Sequence, residues 1–218
     1  MAITRLGPNQ DITAAKIAGQ INFKNLIING DMSIAQRGTS QSGVTVSAYG
    51  EWPDRFSVNI SSLGTWTISQ STDVPTGEGF VTSSKFDCTT ADASPGTNDF
   101  LMYRTKLEAQ NLQNLKYGTS NAESLTLSFW VKSNKTGTYN VWFYTEDTAK
   151  STSAQYTISS ASTWEKKTIT ISGTNSGTIN NDNGDGMRVN FMLGAGTDWT
   201  SGSTPSSWES DTKANRAP

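Results

Sequence analysis

Residues 123–132 read ESLTLSFWVK, and this strict alternation is the tightest constraint in the sequence. Successive side chains of a strand point to opposite faces, so Leu125, Leu127, Phe129 and Val131 share one face. Thr126, Ser128, Trp130 and Lys132 share the other. The same two-residue period returns at residues 138–145, with Tyr139, Val141 and Phe143 against Trp142 and Tyr144. It returns again at residues 153–158, at residues 164–171 with Ile169 and Ile171, and in the set Met187, Val189, Phe191, Leu193. In the first half the runs are Phe56, Val58, Ile60; then Trp66, Ile68; then Phe86, Cys88; then residues 100–107. Turn residues such as Asn29-Gly30-Asp31 and residues 133–137 punctuate these runs. Short alternating strands, frequent turns and no long helical period predict an all-β fold: an antiparallel β-sandwich of the jelly-roll type.

Three segments stand apart. Residues 108–115 predict one helix, with Leu112 and Leu115 on its buried side and Gly118 closing it. Residues 194–218 hold two tryptophans but little periodicity, and are expected to pack along the sandwich as a loop. Residues 1–20 contain no aromatic residue, and Asp11 is a candidate N-cap for a short helical turn ending near Gly19. Such a piece is too short to be stable alone. The expected organisation is therefore an extended or partly helical arm over residues 1–22 and a sandwich over residues 23–218. Ile3, Leu6, Ile12 and Ile17 are the side chains with which the arm would dock on another chain.

Composition removes several classes of function. The chain has 218 residues, a formal net charge of −2 and no histidine. The commonest general base and metal ligand is thus missing. With Cys88 as the single cysteine, neither an intrachain disulfide nor a cysteine-rich zinc site can form. Cys88 itself reads as a buried strand thiol. No Lys/Arg stripe marks a nucleic-acid surface or a polybasic membrane anchor, and no apolar run is long enough to span a bilayer. The first residues lack the apolar core of a signal peptide, which predicts assembly in a cytoplasm.

Few residues suggest a site. Trp130 and Trp142 have the same outward parity on consecutive strands, with Tyr144 beside Trp142. If those strands pair, the rings form a platform on which a sugar could stack, or an interface covered by loops, the helix or another subunit. The run Asn181-Asp182-Asn183-Gly184-Asp185-Gly186 has the spacing that opens a calcium loop. It lacks the acidic first residue and the bidentate glutamate, with Met192 standing at that last position, so a hairpin turn is the better reading and no metal is assigned. Glu51, Asp54, Glu78, Glu146 and Asp147 are acidic, yet nothing pairs any two of them for glycoside hydrolysis. Asp54-Arg55 reads as an internal ion pair or turn anchor. The expectation is a protein without catalytic residues or cofactor, not an enzyme.

One set of motifs resembles a known family. Asn25-Leu26-Ile27-Ile28-Asn29-Gly30-Asp31-Met32 is followed by Gln36-Arg37-Gly38, then by Asp54-Arg55-Phe56 with Tyr49 and Trp52 before it. Residues 127–133, 137–139 and 164–171 continue the match in order. The pattern is similar to that of tailed-phage virion proteins, tail-fibre-like or head-decorating, with a jelly roll similar to carbohydrate-binding modules. The resemblance implies a virion location, a homotrimer, and contacts with other virion proteins: a tail adaptor, a portal-proximal surface or the capsid surface. It implies host-surface glycans as ligands of a tail-fibre-like protein; the alternative is a capsid decoration or cement protein without glycan binding. Family members carry a further C-terminal strand beyond the region of Asn215, which predicts a sandwich short of its closing strand.

Overall fold

The computed structural model describes residues 25–51 and 53–218, with the backbone alone for residues 47–51. The arm, with Ile3, Leu6, Ile12 and Ile17, lies outside the described residues, as does Trp52.

The described residues form ten antiparallel strands: β1 (Ser40–Glu51), β2 (Phe56–Ser71), β3 (Ser83–Thr90), β4 (Phe100–Glu108), β5 (Leu125–Val131), β6 (Gly137–Thr145), β7 (Lys150–Ile158), β8 (Glu165–Ile171), β9 (Asp185–Ala195) and the two-residue β10 (Glu209–Ser210). The large sheet runs β1-β2-β4-β9-β6-β7-β10, with β3 also paired to β2; β5 and β8 form a second, two-stranded sheet. The pairs β4–β9, β5–β8 and β6–β7 are nested, one inside the next, and β6 also bonds to β9. This is a long hairpin rolled up on itself, the winding of a jelly roll. The predicted all-β antiparallel sandwich is the fold observed.

The main core lies between the sheets. Val141, Phe143, Met187 and Val189 from the large sheet meet Ile169 and Ile171 from the small one, with Leu125, Leu127, Phe129 and Val131 packed against them. Each such side chain is worth about 1.5–3 kcal/mol when fully buried. The inward alternation of β5 is thus a direct readout of this core.

A second core depends on a bend. Val58 of β2 pairs with Tyr103 of β4, and Ile68 of β2 pairs with Phe86 of β3. Ten residues of straight strand span about 33 Å. Yet the Phe86 and Tyr103 rings meet edge to face with centroids 4.9 Å apart. β2 therefore folds back on itself, at Ser62 and Gly64, whose φ values are +50° and +76°. A Cβ on Gly64 would approach Thr90 O to 2.6 Å, so this position requires glycine. The bend lays β3 and the second half of β2 over β4. Asp73, just beyond β2, then reaches the small sheet, accepting from Lys132 Nζ at 2.5 Å and Trp164 Nε1 at 3.0 Å. These bonds hold the Asp73 carboxyl below its usual range, Lys132 contributing most.

The helix of residues 109–115 is a 3-10 helix. Three residues per turn stack Ala109, Leu112 and Leu115 on one stripe, and all three are buried. Its C-cap is Lys116 in the left-handed region (φ +54°), so Lys116 closes the helix and Gly118 follows it. Its first amides donate to Gly184 O and Asp182 O, at 3.0 and 2.7 Å. The residues with calcium-loop spacing therefore receive this helix, and a Cβ on Gly186 would meet Ala109 Cα at 2.5 Å. Asp182 Oδ1 caps Gly184 N at 2.9 Å, and among the described residues no group of His, Cys, Asp and Glu is gathered to hold a metal.

Two readings need correction. Cys88 is exposed, not buried: among the described residues β3 has β2 alone as a neighbouring strand, and its outer end, residues 87–90, is exposed. The runs expected as two strands over residues 54–60 and 64–70 are one bent strand, Phe56–Ser71, preceded by a turn at Asp54-Arg55. β1, unforeseen, borders the large sheet with four register irregularities.

Candidate functional site

The outer face of the large sheet is built from the residues of β2, β4, β9, β6 and β7 that point away from the core. Cross-strand pairing sets them in three rows: Asn59–Met102–Met192–Asn140–Gln155, then Ser57–Arg104–Asn190–Trp142–Ser153, then Lys106–Arg188–Tyr144–Ser151. A hydrogen-bond chain runs along the middle row. Arg104 Nε donates to Asn190 Oδ1 at 2.6 Å, and Asn190 Nδ2 donates to Trp142 O at 2.9 Å.

One end of this face is covered. Residues 196–218 fold back over it as a strap with a four-residue helix (Thr197–Thr200) and a 3-10 turn (Lys213–Asn215). Trp199 and Ala217 pack on Met102, Trp142 and Met192. Trp199 Nε1 donates to Asn98 O at 3.0 Å, and Asn140 Nδ2 donates to Arg216 O at 2.8 Å. The Arg216 guanidinium stacks on the Trp142 ring at 4.3 Å from its centroid and on Trp199 at 5.3 Å, and is ion-paired to Asp211. The expectation that the C-terminal stretch packs along the sandwich as a loop is met, apart from the short β10 pairing with β7.

Trp142 is consequently 3% exposed. Tyr144 lies beside it, ring centroids 5.4 Å apart, with Arg188 over the Tyr144 ring at 5.3 Å. Burial, then the Glu146 and Asp211 carboxylates, hold the Tyr144 hydroxyl above its usual range. Trp130 is elsewhere. β5 pairs with β8 and β6 with β7 and β9, so the turn after β5 carries the chain from one sheet to the other instead of closing a hairpin. Trp130 sits on the outer face of the small sheet, opposite Lys166, whose Nζ lies 6.0 Å from the ring centroid. The shared platform of Trp130 and Trp142 does not form.

The other end of the outer face holds a cleft of about 300 Å³. Its lining includes the polar side chains of Ser57 and Asn183 and the charged ones of Arg55, Arg104, Lys106, Glu108 and Asp185. Arg55 Nη2 donates to Glu108 Oε1 at 3.1 Å. Lys106 Nζ and Arg188 Nε contact Asp185 Oδ2 at 3.0 and 2.7 Å, and Arg188 also pairs with Glu146. Asp185 Oδ1 is buried without a hydrogen-bond partner. Glu108 and Asp185 are direct cross-strand partners, a carboxylate pair absent from the sequence expectations. The outward alternation Met102, Arg104, Lys106, Glu108 was readable; which strand would face it was not.

The first three resembling motifs, at residues 25–32, 36–38 and 54–56, meet at one place. Asn29 Nδ2 donates to Ile34 O at 2.9 Å and Asp54 O at 2.8 Å, while Asn29 Oδ1 accepts from Ile34 N at 2.9 Å. Gln36 N donates to Asp54 Oδ2 at 2.5 Å, and Gln70 Nε2 donates to Met32 O at 2.7 Å. Asn29 holds φ +59°, a conformation asparagine tolerates well. This staple fastens residues 29–36 to the start of β2. Asp54 is thus a turn anchor, and the carboxylate partner of Arg55 is Glu108.

A scan of the sequence against protein families finds no match, and a search among curated proteins finds none either. Among solved structures, the chain is similar to the enzymatically active domain of tailspike protein 4 of bacteriophage CBA120. The TM-score is 0.43 and the sequence identity 14%, over 77% of this chain and 19% of that one.

Proposed function

We propose that the chain is a virion protein of a tailed phage, tail-fibre-like, held to the particle by residues 1–22 and presenting its sandwich to host-surface glycans. The observation that carries the reading is the staple. The first three motifs that resemble the phage family, at residues 25–32, 36–38 and 54–56, meet in one hydrogen-bonded junction through Asn29 and Asp54. The spacing of these three motifs therefore has one physical cause in this fold, which supports the resemblance over residues 25–56. Display without chemistry is the preferred role. Glu108 and Asp185 are each engaged by a cation, Arg55 and Lys106 respectively, instead of standing as two open carboxyls on either side of a substrate bond. A homotrimer is the proposed assembly.

The test is placement on the particle. Gold-labelled antibody against the sandwich should mark tail fibres of the phage that encodes it, and deletion of residues 1–19 should abolish incorporation while the purified sandwich stays folded. Normal incorporation of the shortened chain would refute the anchoring role. Labelling of the capsid would replace the fibre by a head decoration.

A further inference from the structure

We infer that Asn183 is a site of spontaneous covalent modification: its side chain converts to isoaspartate through a cyclic imide, and the change releases the start of the 3-10 helix of residues 109–115. The inference stands independently of the virion reading. It concerns the loop of residues 181–186, which has calcium-loop spacing and no metal assigned.

The sequence holds two Asn-Gly pairs, Asn29-Gly30 and Asn183-Gly184. Asparagine before glycine is the pair most open to this reaction, because glycine has no side chain to shield its amide nitrogen. The fold separates the two pairs. The Asn29 carboxamide is held by three hydrogen bonds, two donated to Ile34 O and Asp54 O and one accepted from Ile34 N. Its Cγ cannot turn towards Gly30 N without losing them. The Asn183 carboxamide makes no hydrogen bond to any described residue, and Asn183 lies exposed in a bend.

The neighbours of Asn183 supply the proton path. Gly184 N donates to Asp182 Oδ1 at 2.9 Å, so the nucleophile already faces a proton acceptor. As Gly184 N bonds to Asn183 Cγ, its proton passes to Asp182 and on to the side-chain nitrogen of Asn183, which leaves as ammonia. Water then opens the five-membered imide. Attack at the Asn183 main-chain carbonyl carbon breaks its bond to Gly184 N and leaves isoaspartate; attack at Cγ leaves aspartate. One water in and one ammonia out balance the reaction.

The position gives the product a consequence. Asn183 stands between the two carbonyls that receive the helix: Asp182 O accepts from Gln110 N at 2.7 Å, and Gly184 O from Ala109 N at 3.0 Å. Gly186 fixes the same junction, since a Cβ there would meet Ala109 Cα at 2.5 Å. Isoaspartate lengthens the main chain by one methylene between the two acceptors and adds a carboxylate beside Asp182. Both hydrogen bonds cannot then keep their length. Leu112 and Leu115 remain anchored in the core, so the first turn is released and the rest of the helix stays.

The experiment follows the full chain in warm, mildly alkaline buffer, with digestion at mildly acidic pH and mapping by mass spectrometry. Asn183 should gain one mass unit, with isoaspartate exceeding aspartate. Asn29 should convert at least about tenfold more slowly, the cost of one hydrogen bond. In urea-unfolded chain the two should convert at similar rates, which assigns the difference to the fold. Hydrogen exchange at the Ala109 and Gln110 amides should be at least about tenfold faster in the converted fraction, with β5 and β8 unchanged. Asn183→Gln, a change at an exposed position, should fold normally and show neither effect, because its side chain would have to close a six-membered ring. Asp182→Asn keeps the acceptor, removes the base and should slow the conversion. Conversion of Asn29 as fast as Asn183, or none at Asn183 in the time the unfolded chain takes to convert fully, would overturn the site. Unaltered exchange at Ala109 and Gln110 in the converted chain would overturn the released helix. An unchanged rate in Asp182→Asn would overturn the part given to Asp182.

Discussion

Trp130 and Trp142 carry the same signature in the sequence, and the folded chain treats them in opposite ways. Both point away from the core on alternating strands. Trp142 is sealed beneath residues 196–218, gripped by Arg216 and flanked by Met102, Met192 and Trp199. Trp130 stands on a polar sheet face, with Thr126, Ser128, Thr168 and Thr170 exposed around it and Lys166 as its neighbour. Parity assigns a side chain to a face of a sheet. It does not say whether another part of the chain will cover that face. Covered, a tryptophan acts as core and its loss is a cavity. Uncovered, it is available to ligand or to a second subunit.

The contrast can be broken by substitution. The largest effect belongs to Trp142→Ala, which should cost about 3–5 kcal/mol in urea unfolding, as for a fully buried ring. A cost below about 1 kcal/mol, the range of surface changes, would show that the strap does not seal this face in solution. Next comes Arg216→Ala. It removes the cation from two rings and leaves the Asp211 carboxylate, 9% exposed, without its partner. About 2 kcal/mol is expected from the stacking and the broken pair together. Hydrogen exchange should speed up in residues 199–217, with β5 and β8 unaffected; uniform acceleration would mean that the strap is not a separable layer. The smallest effect is that of Trp130→Ala, under about 1 kcal/mol. A loss as large as that of Trp142 would place Trp130 in a buried interface, to be checked by mass in solution.

The same contrast shows how far the sequence reaches. β5 and β8 were legible because each is half buried, so inner residues alternate with polar ones, and β4, β6 and β9 were legible through their inner apolar sets although the strap also covers part of their outer face. The 3-10 helix of residues 109–115 was legible through Leu112 and Leu115. β1 was not, because Ser-Gln-Ser-Gly at its start carries no apolar period and its pairing slips four times. The bend in β2 looked like a turn between two strands, since Leu63-Gly64 is a turn signal. What distinguishes a bend from a turn is the continued pairing of β1 along both halves. Cys88 alternates with Phe86 as core residues do, but only Phe86 finds Tyr103 across from it. Of the candidate site, the charges of β4 were visible and the cleft was not. It exists because Glu108 on β4 and Asp185 on β9, 77 positions apart, are brought opposite each other by the outermost nested pair.

That nesting also governs how the chain can fold as it is made. β6 and β7 are joined by a short turn and can zip at once. β8 must then emerge before β5 has a partner, and β9 before β4 does. Until residue 195 has left the ribosome, β4 carries one bare edge and the outer sheet face has no strap. A contact map dominated by such distant pairs implies folding on the millisecond-to-second scale rather than faster. The unpaired edge of β4 is, for that interval, a template for another chain. If many copies are made together, as assembly of a particle would require, the danger is mispairing between nascent neighbours, and the yield of native protein should depend on chaperone supply more than on the stability of the finished sandwich.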